Sequence, residues 1–257
     1  MPEKVTWINP ERPPTRHAGF VDTESARKMM LSLRSARATG GITMIIAGSG
    51  VGKTRTKFHF RDTEAPESII VDIGPDQERP WGLACALCER LGLQEPNARN
   101  LADSRRQIAN KIGPDGFLMI DEAQNLIHVG KEKRTDDYRA FEWARMMQEE
   151  GGFGLAFIGD ANLDRVLAKY PQIKRRTHPR VRITGAEPGD VEAFCRAHGL
   201  TDERAVRKLA ASVQGQDGGG LGALSKIKEA AWDMKSGDVP TADDWLGGLW
   251  HFEKGYE

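Results

Sequence analysis

The sequence predicts an α/β fold, a parallel sheet between helices, followed by a small all-helical domain. Short apolar runs of four to six residues recur at Thr43–Ala47, Ser68–Ile73, Phe117–Ile120, Gly154–Ile158 and Val181–Thr184. Most are apolar on both faces, as strands buried inside a parallel sheet are. Stretches with helical spacing separate them, and strands alternating with helices build a sheet covered on both faces. After Thr184 the strand signals stop and only helical patterns remain.

The elements follow in order. Residues 1–19 carry Pro2, Pro10, Pro13 and Pro14 and read as an extended arm, because proline fixes φ and restricts the residue before it. Asp22–Arg37 reads as a helix with Asp22 or Thr23 as N-cap and Gly40-Gly41 as the stop. Between the strands lie helical stretches at Lys53–Arg61, Trp81–Leu93, Leu101–Ile112, Asp137–Glu149 and Asn162–Lys169. Gly189–His198, Thr201–Val213 and Leu221–Lys235 form the helical second domain. The expected boundaries are an arm over 1–19, an α/β core over 20–185, a helical domain over 186–240, and an aromatic, acidic tail over 241–257.

Composition narrows the function classes. The chain has 257 residues, 37 basic against 37 acidic, with 39% apolar and 29% charged residues. A disordered polyelectrolyte and a uniformly basic nucleic-acid coat are excluded, and a sizeable core is possible. No run approaches the ~18 apolar residues of a membrane span, and the N-terminus lacks the apolar stretch of a signal peptide. A cytoplasmic protein without a membrane partner is expected. Three cysteines are too few for a disulfide framework in such a chain. Cys85 and Cys88 form a CxxC inside an apolar helical run with no second pair at zinc spacing, so they read as small residues on a buried helix face.

The first chemical motif follows the first strand. Thr43–Ala47 runs into Gly48, Ser49, Gly50, Val51, Gly52, Lys53 and Thr54 and then into a helix. This strand, glycine-rich loop and helix make a phosphate cradle: the loop N–H groups turn inward and the helix N-terminus adds its positive end. Lys53 is expected to reach the β- and γ-phosphates and the Thr54 hydroxyl to ligate Mg²⁺. The usual first glycine of the motif is Ala47 here. The second motif is Phe117–Ile120 followed by Asp121-Glu122, a buried strand delivering two carboxylates to its C-terminal end. Asp121 is expected to hold Mg²⁺ and Glu122 to polarise the attacking water as general base. An intervening strand, a glutamate beside the aspartate, and no guanine-reading motif favour ATP.

Two further positions carry candidate roles. Asp160 ends the Gly154–Ile158 strand region and either faces the γ-phosphate through water or caps the next helix. Residues 174–182 hold Lys174, Arg175, Arg176, Arg180 and Arg182, five positive charges without an acid. Arg176 is the candidate to reach a neighbouring subunit's γ-phosphate, its planar guanidinium matching the charge that grows during transfer; the others read as solvated surface.

Gly48–Thr54, the Asp121-Glu122-Ala123-Gln124-Asn125-Leu126 block, the Ile158-Gly159 strand end, Arg176 and the Pro188-Gly189-Asp190-Val191 helix start together resemble the AAA+ ATPases. More narrowly the chain resembles the phage transposition protein B group and related transposon target-selection ATPases, over roughly 20–235. The resemblance implies a phosphate-loop, additional-strand AAA+ core with a C-terminal helical lid. It further implies an ATP-dependent, sequence-nonspecific ATPase on double-stranded DNA, assembling with itself as a ring or helical filament and delivering DNA to a transposase. In a phage, the setting would be the bacterial host cytoplasm. The group's phage protein has an N-terminal helix-turn-helix region, which the residues before the loop in this sequence are not expected to contain. The sequence also reads Gly222-Ala223-Leu224-Ser225-Lys226 where a sensor-2 arginine is common, which leaves Lys226 as a substitute.

Zero net charge still permits DNA binding if charge is segregated. Residues 174–182 carry +5, whereas Asp238 to Glu257 has five acids against Lys254, hence −4. Lys131, Lys133, Arg134, Lys174 and Arg175 are the candidate phosphate contacts, with a solvated loop as the competing reading for 131–139. A replicative helicase loader, or a signalling ATPase docking proteins through Trp245, Trp250, Phe252 and Tyr256, are the alternative functions.

Overall fold

A computed structural model describes residues 19–128, 137–214, 219–235 and 238–254. The arm up to residue 18, the basic residues Lys131, Lys133 and Arg134, and Tyr256 lie outside the described residues. The chain forms two compact units, one of residues 31–47 and 64–182 and the other of the described parts of 1–30, 48–63 and 183–257.

The first unit is built on a five-stranded sheet in the order β2-β3-β4-β1-β5. The strands are β1 Ile42–Ala47, β2 Ile69–Asp72, β3 Phe117–Asp121, β4 Gly154–Gly159 and β5 Thr177–Ile183. Pairing of β1 with β4, β4 with β3 and β3 with β2 is parallel throughout. Every residue of β1, β3 and β4 is buried, which is why these segments read as unbroken apolar runs. One face, with Met44, Leu118, Ile120, Leu155 and Phe157, packs with α3 Pro80–Leu91, α4 Leu101–Ile112, α5 Arg139–Gly151, α6 Leu163–Lys169 and α7 Pro171–Arg176. On the opposite face the C-terminal half of α1 (Glu24–Thr39) approaches the strands: Ser32 Oγ bonds Thr43 Oγ1, and a methyl added at Gly154 would lie 2.8 Å from Ala36 O.

Two elements differ from the sequence expectation. The strand expected at Val181–Thr184 begins at Thr177, and α7 precedes it. Pro179 and the charges of 174–182 mask both, yet proline and exposed arginine are what an edge strand tolerates, and β5 is an edge. Its residues alternate between covered and exposed, Arg180 and Arg182 being exposed.

In the second unit, α8 Pro188–Ala197, α9 Glu203–Val213, α10 Gly220–Met234 and α11 Ala242–Lys254 share a core of Val191, Cys195, Leu209, Leu224, Ile227, Trp245 and Leu249. The expected tail over 241–257 thus contains a fourth packed helix. Its start is fixed by Thr241, whose N–H and hydroxyl donate to Asp244 Oδ2 at 2.7 and 2.6 Å, in the manner of a capping box. Gly247-Gly248 weakens the helical signal in the sequence, but Gly248 is needed for close approach: a methyl there would lie 2.6 Å from Ile227 O on α10. The start of α1 belongs to this unit too. Thr23 is its cap, accepting from Ala26 N at 3.1 Å, and Ser25 N donates to the buried Asp190 carboxylate at 3.1 Å.

Candidate functional site

The parallel strands present their C-terminal ends to one edge of the sheet, the edge where ligands bind in open α/β folds. Register places Asp72 opposite Asp121 and Ile46 opposite Gly159 there. β4 lies between β3 and β1, so the strand carrying Asp160 separates the strand of Asp121 from the one that enters the glycine-rich loop.

The glycine-rich loop belongs to the second unit. Gly48 N donates to Ile183 O at 2.9 Å, tying the loop's start to the end of β5. Gly50 and Gly52 have φ of 72° and 91°, left-handed values that let successive N–H groups turn inward. The helix α2, Lys53–Glu64, begins at once with no acid in its first turn, leaving its positive end uncompensated. Lys53 folds back over the loop, its Nζ donating to Gly48 O at 3.0 Å, while Thr54 is exposed at the helix start. Val51 is fully buried and anchors the loop from beneath. Gly50 also touches the start of α10: a methyl there would lie 2.0 Å from Gly219 O and 3.3 Å from Gly222 N. Lys226, one turn further along α10, is exposed.

The carboxylate end of β3 is in the first unit. Asp121 is buried, and its Oδ1 accepts from Glu122 N at 2.9 Å. Glu122 has φ of 51°, the one non-glycine residue with positive φ among the described residues. Such a conformation persists only where the surroundings fix it, and it concentrates at functional sites. Asn125 supplies part of the fixing: its N–H donates to Glu122 O at 2.8 Å and its Nδ2 to Ile73 O at 2.7 Å. Gln124 supplies the rest, with Nε2 donating to Glu122 Oε2 and Oε1 accepting from Asp160 N at 3.2 Å.

Asp160 uses its carboxylate locally. Oδ1 accepts from Asn162 N at 2.8 Å and Oδ2 from Asn162 Nδ2 at 3.2 Å, so it shapes the turn into α6. Half of its acceptor capacity is left for other donors. Arg176 ends α7 and its Nη1 is paired with Glu149 on α5. Arg182 is paired with Asp164, whereas Lys174, Arg175 and Arg180 are exposed and carry no ion pair among the described residues.

The cysteines take no part. Burial raises the thiol pKa of Cys85 and Cys88, and pushes that of Cys195 up to about 12. No cluster of three His, Cys, Asp or Glu residues that could hold a metal occurs among the described residues. Sequence reasoning named the loop, Asp121 and Glu122 but missed Gln124, Gly159 and the Gly219–Gly222 approach to Gly50. The Asp-Glu-Ala-Gln-Asn block was a visible signal for Gln124; the glycine contact joins positions distant in sequence and left none.

Fold and loop together define a phosphate-loop nucleotide-binding protein with an additional strand, and the chain belongs to the AAA domain family, whose model matches residues 36–167. Among curated proteins it is 28% identical over 219 residues to the Mu-like prophage FluMu DNA transposition protein B of Haemophilus influenzae, covering 80% of this chain and 70% of that protein. It is 25% identical over 196 residues to the ATP-dependent target DNA activator B of Escherichia phage Mu, covering 74% of this chain and 59% of that one. The phage D108 protein of the same name matches to the same extent. The match thus spans well under two thirds of the length of the two phage proteins. In fold the chain resembles Cdc6p from Pyrobaculum aerophilum, with TM-score 0.61, 14% identity, and coverage of 97% of this chain and 71% of that one. It also resembles the Aeropyrum pernix ORC2 protein, with TM-score 0.57, 16% identity, and coverage of 88% and 66%.

Proposed function

We propose that the protein is an ATPase that binds duplex DNA without sequence preference, assembles on it as a ring or helical filament, and presents it to a transposase. The carrying observation is the family match over 36–167, which includes both the loop and Asp121-Glu122, together with relatives named for DNA transposition and ATP-dependent target DNA activation. Such proteins work in the bacterial cytoplasm, and no described helix is long and apolar enough to cross a membrane.

In this reading the N–H groups of residues 48–54 and the start of α2 hold the phosphates, and Lys53 leaves Gly48 O to pair with them. The Thr54 hydroxyl and Asp121 carboxylate are hard oxygen donors of the kind magnesium takes, alongside substrate phosphates. The ion, when bound, neutralises charge on the phosphoryl group. Glu122 orients and deprotonates the attacking water, and Asp160 senses the γ-phosphate through water. Arg176 is exposed and its pairing with Glu149 is a surface ion pair of small net worth, so releasing it toward a neighbouring subunit costs little. Lys174 and Arg175, paired with no carboxylate among the described residues, are the DNA phosphate contacts.

The test is DNA retention with ATP, with ADP and without nucleotide. Retention is expected with ATP alone, to be abolished by Lys53→Ala and prolonged by Glu122→Gln, which should bind ATP but hydrolyse it only at a low residual rate. Equal retention in the three nucleotide states would overturn the reading.

A further inference from the structure

We propose that Gln124 is a positioning residue for ATP hydrolysis, an amide clamp that sets the Glu122 carboxylate against the end of β4. The proposal rests on the reading of Glu122 as general base.

The orientation of the Gln124 amide is fixed by its partners. Asp160 N can only donate, so Oε1 must face Asp160, and Nε2 is thereby turned to the Glu122 carboxylate. One side chain thereby joins the carboxylate at the exit of β3 to the backbone at the exit of β4. Space for it depends on Gly159: a methyl there would lie 2.3 Å from Gln124 Oε1 and 3.3 Å from Gln124 N. Gly159 is not in the left-handed region, so its glycine identity answers to this side chain and to Leu163, whose Cδ1 would lie 3.0 Å from the added methyl. Glu122 is simultaneously held in the left-handed region. A carboxylate with backbone and side chain both restrained is pre-set for one direction, which is what a general base within reach of a single water requires.

Gln124→Glu separates the two bonds. It keeps the size of the side chain and the acceptor for Asp160 N–H but loses the donor to Glu122. We expect kcat for ATP hydrolysis to fall about tenfold or more, with KM, nucleotide Kd and Tm unchanged. Gln124→Met, which lacks both bonds, should match it in kcat. In a Glu122→Gln background neither substitution should lower the residual rate further, because both act through the same carboxylate. A readout independent of turnover is the pair of Gln124 side-chain amide proton resonances, identified by their loss in Gln124→Glu; Glu122→Ala should shift them. Gln124→Glu with wild-type kcat, a full further loss in the Glu122→Gln background, or amide resonances unmoved by Glu122→Ala would each overturn the clamp. Glu122→Gln hydrolysing ATP at the wild-type rate would sink the base reading itself, a failure visible without any Gln124 variant.

Discussion

Two motif residues, Glu122 and Gly50, carry left-handed backbone for different steric reasons. Glu122 adopts a left-handed conformation that costs a residue with a Cβ of order 1–3 kcal/mol, held by neighbours that bond both its backbone and its carboxylate. Gly50 adopts a similar conformation with a further constraint, since its missing side chain is where Gly219 O passes. Gly50→Ala should therefore destabilise the protein by roughly 1–3 kcal/mol and weaken ATP binding. Gly189→Ala, at a helical position where an added methyl meets nothing within 4 Å, should instead be stabilising by roughly 0.5–1 kcal/mol. Denaturant midpoints and nucleotide titration of the two variants check this pair, and a Gly50→Ala protein with wild-type midpoint would refute the contact with α10.

At the scale of elements, the helices of the second unit carry the molecule's clearest pH response. His198 closes α8, its Nδ1 bonded to Phe194 O at 2.8 Å and its ring 4.3 Å from that of Phe194. Burial, with smaller contributions from Lys228 and Arg55, pushes its pKa down to about 4 from an ordinary 6.5. The folded form thus keeps the ring neutral where the unfolded chain protonates it. Stability from this group is complete above pH 6.5 and is lost as pH falls toward 4, up to roughly 3 kcal/mol in all. Between about pH 7 and about pH 5, His198→Asn should lose less stability than the wild type in urea titrations. Equal losses would show that His198 is not the group responsible. The aromatic residues of α11 divide similarly by environment: Trp245 is fully buried among α8–α10, whereas Trp250 and Phe252 are exposed.

For the whole molecule, the balance of 37 basic and 37 acidic residues constrains the proposed DNA binding. The local excess at 174–182 is reduced by the pairing of Arg176 and Arg182, which leaves Lys174, Arg175 and Arg180 without an ion pair among the described residues. A segment with three such cations gains little from counterion release, while linked subunits add their contacts. DNA affinity should accordingly be weak for single subunits and strong for the assembled form. Its logarithm should fall with log salt by about 0.9 per phosphate neutralised, and Lys174→Ala should make the slope shallower. A slope unchanged by Lys174→Ala and Arg175→Ala together would move the DNA contact elsewhere on the molecule.

The sequence by itself determined the buried strands β1, β3 and β4, the phosphate loop with Lys53, and Asp121-Glu122 at a strand end. Each is a local pattern: an apolar run, glycines at fixed spacing, a cap or a charge at an element's terminus. It left hidden the edge strand β5 with α7 before it, and the helix α11, because proline, charge clusters and paired glycines obscure local propensity where packing decides. Only the tertiary structure joined Gln124 to the end of β4, placed Gly159 where it leaves room for that side chain, and set Gly50 against the start of α10. Those contacts depend on how separate segments are brought together, and no spacing along the chain encodes a distance between them.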